Sequence, residues 1–292
     1  MARVLWFSVA LVLLAAGKAP ASSDEVVIST GRERGSYYYI GERFKTELLL
    51  GNYHRVEVRT SSGSLDNLRL LDDPGSPVNV ALAQADALTE YLQDRPDFQS
   101  EFFVLGDLGR ECVFVIAGRN AGIEDASDLK SSTDGEISVD DVSSGSAVTW
   151  QAMTRLEPRF ARTKAVSVPT MEALLQLKVG ATFTKLRAAM IVQRPRRASP
   201  PLETVMKHPD LYRLVPITSA DLPNAKLPDG SDVYTFERVT AGGKKRKSHV
   251  EVDTLCTRGL MLGSRSKLGP ELRSRLSTLM MEAASRIVGA DE

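Results

Sequence analysis

The chain alternates short apolar runs with longer amphipathic ones, and the alternation repeats. Glu25 to Thr30 (EVVIST) is β-branched and bounded by a Gly-containing loop, which predicts a short buried strand. The next run, GSYYYIGERFKTELLLGN, places Tyr37, Ile40, Phe44 and Leu48 at three- and four-residue spacing. That predicts a helix with Ser36 as candidate N-cap and Gly51-Asn52 at its end. The plan returns as strand HRVEVRT, loop SSGS (Ser61 to Ser64) and helix LDNLRLLDD before Pro74-Gly75. It returns again as VNVALAQADALTEYLQD, where an apolar strand meets a polar Gln84-Ala85-Asp86 turn and a helix. Strand, polar loop, helix, three times over, describes a mostly parallel sheet with helices on its faces.

Two further strands are expected at EFFVLG and ECVFVIAG. Then ISVDDV leads into a second SSGS (Ser143 to Ser146) and a helix AVTWQAMTRL, so the plan restarts. A strand AVSVP, a helix TMEALLQLKVG, a strand AAMIV, a Pro-rich loop QRPRRASPP, a short helix and a strand LYRLVPI complete a second α/β set. The tail carries Leu272, Leu276, Met280 and Ile287 on one helical face with Pro270 near its first turn, predicting a final long helix. At 292 residues, two domains are expected.

Composition places the chain among ordinary globular proteins, with 42% hydrophobic and 25% charged residues. A formal charge of zero offers no footprint for nucleic acid, and the isolated basic run in TAGGKKRKSHVE reads as a solvated loop tip. The N-terminus changes the compartment. Arg3, the apolar run Val4 to Ala16 and the Ala19-Pro20-Ala21 site describe a signal peptide over residues 1–21, cleaved near Ala21, in a run too short to span a bilayer. In an oxidising compartment Cys112 and Cys256, the two thiols, could bridge; buried unpaired cysteines are the alternative.

Catalytic patterns are sparse. His54, His208 and His249 are far apart in sequence, with no H-E-x-x-H, C-x-x-C, G-x-S-x-G or phosphate-loop pattern, so neither a metal nor a cofactor is expected. Ser127…Lys130 and Ser264…Lys267 fit S-x-x-K without a K-T-G partner, and a helix-capping serine suffices at each. Asp72-Asp73 and Asp140-Asp141 read as solvated turns or caps.

The loops are the informative feature. A helix opening leaves backbone N–H groups unpartnered and carries partial positive charge. Gly admits a ligand close to the backbone and Ser adds rotatable donors, so Ser-Gly-Ser before a helix makes an anion cradle. A good N-cap is the plainer role of any one such loop. Three of them at strand ends (Gly35-Ser36, Ser62-Gly63-Ser64 and Ser144-Gly145-Ser146) point to a shared cleft, with the two SSGS loops as opposing jaws.

In combination, ISTGRERGSYYYIGERFKTEL, VRTSSGSLDNLRLLDD and VALAQADALTEYL resemble the opening of the TAXI family, the receptors of one branch of TRAP transporters. AGIEDASDLKSSTDGEISVDDVSSGSAVTWQAM and VEVDTLCTRGLMLGSRSKLGPELRSRL are similar to that family's later segments. The resemblance implies a periplasmic, monomeric, non-enzymatic solute-binding protein with a two-lobed periplasmic-binding-protein-like α/β architecture. Lobe I would hold residues 22–115 with 252–292, and lobe II 116–251. It would trap a small carboxylate or amino acid, glutamate-like or dicarboxylate, and deliver it to a TRAP-type membrane permease. Carried over, Gly35, Ser36 and Tyr37 match a first ligand loop, Ser62, Gly63, Ser64 and Asn67 a second, Gln84 and Asp86 a third, and Ser144, Gly145 and Ser146 the loop from the opposite lobe. Tyr37 would wall the pocket. Arg194, Arg196 or Arg197 could reach an acidic ligand, with exposure to solvent the expected placement. A ligand sensor for a signalling partner and an exported serine hydrolase using Ser64 or Ser146 are the rival readings.

Overall fold

The computed structural model describes residues 25–33, 35–180, 182–242 and 249–289; the expected signal peptide and most of the basic run lie outside them. The first strands, β1 (Val26–Ser29), β2 (Val56–Arg59) and β3 (Val80–Gln84), are parallel, β1 pairing with both others. They are linked by α1 (Ser36–Leu50) and α2 (Ser64–Asp72), and α3 (Ala85–Asp94) follows β3 directly. The periodicity of α1 is realised: Ile40, Phe44 and Leu48 are buried and the helix closes at Gly51. Its N-cap is Gly35, one residue before the serine expected there.

The two runs EFFVLG and ECVFVIAG form one strand, β4 (Phe102–Gly118), 17 residues long. Gly106, Asp107 and Gly109 look like a turn in sequence, but the chain runs on because its partner absorbs the irregularity in register shifts. The second set comprises α4 (Ala126–Ser131), β5 (Glu136–Ser138), α5 (Gly145–Leu156), β6 (Lys164–Val166), α6 (Thr170–Val179), β7 (Leu186–Gln193), α7 (Pro200–Lys207) and β8 (Tyr212–Val215). Then β9 (Tyr234–Gly242), a half-polar strand absent from the sequence expectation, precedes β10 (His249–Ser264) and α8 (Pro270–Val288). Leu276, Met280 and Ile287 of α8 are buried as its spacing requires, and Leu272 packs at the margin.

All ten strands among the described residues share one sheet, in order β2-β1-β3-β10-β4-β7-β5-β6, with β8 on β4 and β9 on β10. Pairing is parallel toward both ends and antiparallel in the middle, where β10 meets β3, β4 and β9 and where β4 meets β7 and β8. The long strands β4 and β10 therefore belong to both lobes. One apolar core, with Ile28, Phe44, Leu82 and Met280, lies at the β1–β3 end. Another, with Phe114, Leu174, Leu177 and Leu186, lies at the β7 end. A third, with Leu68, Leu88, Trp150, Met153 and Tyr234, runs between them. Cys112 and Cys256 face each other in register on β4 and β10, and their sulfurs are bonded at 2.00 Å.

Both S-x-x-K lysines have structural employment. Lys267 Nζ donates to the carbonyls of Leu70, Asp73 and Val78, closing the end of α2. Lys130 pairs with Asp221 at 2.9 Å. No helix among the described residues is long and apolar enough to cross a membrane.

Candidate functional site

The openings of α1, α2 and α5 meet at one cavity of about 220 Å³. Its wall includes Gly35, Ser36, Tyr37, Ser62, Gly63, Ser64, Gln84, Ser144 and Gly145. The two SSGS loops touch. Gly63 sits at φ 145°, in a region L-residues avoid, and a Cβ there would collide with the Ser143 carbonyl. A Cβ on Gly145 would collide with the Gln84 side-chain amide, so backbone from one lobe lies directly on groups of the other.

Local chemistry sets what each opening presents. No side chain caps α1 or α2, so their first-turn N–H groups lack that partner. In α5, Ser144 Oγ accepts from Ala147 N (3.1 Å) and donates to the Val139 carbonyl (2.6 Å), which occupies that hydroxyl. Ser64 Oγ accepts from Gln84 N at 3.2 Å and keeps its proton for another acceptor. The α2 opening already faces a carboxylate: Asp66 Oδ2 accepts from Ser62 N at 3.1 Å. The α1 and α5 first turns carry no acidic residue and are the stronger anion sites.

The wall also holds groups outside the sequence expectation. Glu111 of β4, 8% exposed, accepts from Tyr37 Oη at 2.9 Å. Burial is the main cause that lifts its carboxyl to about 7, with Tyr37, Arg194 and Arg197 opposing. Burial likewise raises the Tyr37 phenol well above its ordinary value, so it stays a donor. Thr30, Gly31, Arg32, Tyr38, Asp140 and Val192 complete the lining. Arg32 bridges the lobes through ion pairs to Asp140 (3.4 Å) and Asp141 (3.1 Å), so this acidic pair is more than the solvated turn expected from sequence. The Pro-rich loop is also reassigned. Arg196 is exposed as expected, but Arg194 and Arg197 are half-buried, Arg194 donating to the carbonyls of Leu108 and Val288 and Arg197 to Ser36 Oγ.

Three carried-over residues do not reach the wall. Asn67 is buried and tied to Ser29 Oγ and, at 2.7 Å each, to the carbonyls of Thr30 and Leu82, so it fixes the β1, α2 and β3 ends that carry the loops. Asp86 is buried where the lobes meet, accepting from Thr149 Oγ1 (2.6 Å) and Tyr234 Oη (3.2 Å), with burial raising its carboxyl to about 6. Ser146 is buried in the first turn of α5 without lining the cavity. The cavity wall contains no histidine, and no cluster among the described residues could hold a metal ion. Sequence offered one clue to Glu111: an acid opening the apolar run CVFVIA must find a polar environment inside the sheet.

Two α/β lobes sharing crossing strands, with a cavity walled by helix openings from both sides, define the fold as periplasmic-binding-protein-like. XAC2383 from Xanthomonas citri has a similar fold in its structures bound to chloride ion and to ATP, with TM-scores of 0.51 and 0.52. Identity is 10%, and the match covers 90% of this chain and 85% or 84% of that one. The amino acid ABC transporter substrate-binding protein AbpA from Streptococcus pneumoniae, bound to L-arginine, aligns over 90% of this chain and 91% of its own at 11% identity and a TM-score of 0.45. At 10% identity the likeness to XAC2383 is one of fold. No protein-family model matches the chain, and no curated protein matches it.

Proposed function

We propose that the chain is an exported receptor that closes two lobes on a small solute, an organic anion or an amino acid, and hands it to a TRAP-type permease. The carrying observation is the contact of the two SSGS loops over a cavity lined by the openings of α1, α2 and α5, Tyr37 and Glu111. A volume of 220 Å³ lies below the roughly 300–1,000 Å³ of drug-sized sites and suits a metabolite of a few carbons. First-turn N–H groups and the Ser62 and Ser64 hydroxyls hold a ligand carboxylate, each bond to a charged group contributing about 1.5–3 kcal/mol before ordering costs. Residues 22–115 with 252–292 form one jaw and 116–251 the other, hinged in β4 and β10. Delivery to a TRAP-type permease rests on the order of the motifs in the sequence.

The test is thermal unfolding and calorimetry of the mature protein against amino acids and two- to six-carbon carboxylates. At about 100 times Kd a binder adds about 2.7 kcal/mol and raises Tm by roughly 5 °C or more. No shift across the panel, together with no small molecule released from natively purified protein, overturns the reading.

A further inference from the structure

Glu111 is an unexpected group in a cavity built from anion-seeking helix openings. Its Oε2 accepts from Tyr37, while Oε1 receives no hydrogen bond among the described residues. Neither neighbouring arginine forms an ion pair with it, because Arg194 is engaged by backbone carbonyls and Arg197 by Ser36. The Gln84 Oε1, on the same wall, is buried and has no hydrogen-bond partner. The cavity thus presents unfilled acceptors as well as unfilled donors. An ammonium brings three donors and a positive charge, whereas a second carboxylate brings neither.

We infer that Glu111 is the specificity-determining residue of this cavity: it receives a protonated amine, so the site takes a solute bearing both an ammonium and a carboxylate and rejects simple dicarboxylates. This rests on the receptor reading above. The groups facing Glu111 are Tyr37 from α1, Arg194 and Arg197 after β7, Asp86 from α3, and, in register on β10, Thr257 with only a hydroxyl. With its carboxyl at about 7, Glu111 is largely protonated at pH 6 in the empty site. An arriving ammonium favours the carboxylate and drives that proton off, so affinity falls as pH drops below 7, by up to about tenfold between pH 8 and pH 6.

The test is calorimetry at pH 6 and pH 8, in buffers of differing ionisation enthalpy, with matched pairs: L-alanine and propionate, L-aspartate and succinate, L-glutamate and glutarate. Binding by amine members, at least about 30-fold tighter than their deaminated partners and with proton release at pH 6, is the expected result. Glu111→Gln should shrink the ratio within a pair and abolish the proton release. A deaminated acid binding as tightly as its amine, or an unchanged ratio in Glu111→Gln, overturns the inference and leaves the receptor intact. If no member of any pair binds, the inference falls, and the receptor reading falls with it only when the wider panel and the natively purified protein also yield no ligand. Should the variant not fold, the wild-type ratios and proton count decide alone.

Discussion

The two SSGS loops are identical in sequence and different in use. In the first, Gly63 takes a conformation that only glycine enters freely, Ser61 folds back on Gly63, and α2 starts without a side-chain cap. In the second, Ser144 caps α5 and also binds Val139, so the loop satisfies itself. The same four residues therefore make one loop that fits against its neighbour and one that supports it. What differs is the surrounding chain: Asp66 and Gln84 hold the first loop, while Asp141 accepts from Ser143 in the second.

Substitutions test that asymmetry. Gly63→Ala should cost about 2–3 kcal/mol in urea unfolding, from backbone strain and the clash with Ser143, whereas Gly145→Ala, meeting only the movable end of Gln84, should cost under about 1 kcal/mol. Equal losses would erase the distinction. Ser144→Ala removes a cap and should cost about 1 kcal/mol by the same measurement. Ser62→Ala, exposed at the wall, should change stability by less than about 0.5 kcal/mol while weakening binding of whichever panel solute binds by several-fold.

Much of this was legible in the chain. Regular spacing located α1, α2, α5 and α8, and the Ser/Gly loops marked the strand ends that line the cavity. The illegible parts depend on distant partners. β4 is one strand because β10 tolerates its kink, which no local reading of Gly106 to Gly109 shows. Asn67 and Asp86 are polar residues beside the cavity loops, yet their hydrogen bonds turn inward, those of Asn67 to tie β1 and β3 within one lobe and those of Asp86 to Thr149 and Tyr234 of the other. Glu111 faces the cavity only once α1 has packed Tyr37 over the middle of the sheet, and Arg197 loses solvent only when Ser36 reaches it.

The placement of β10 between β3 and β4 has a bearing on how the chain acquires its shape. A strand from residues 249–264 is needed to finish a sheet whose other members begin at residue 26. The amino-terminal half alone cannot complete its central hydrogen bonding, so folding waits for almost the whole polypeptide and proceeds through long-range pairings, which are slow to form. A nascent chain whose sheet stays unfinished until residues 249–264 emerge carries unpaired strand edges through much of its synthesis.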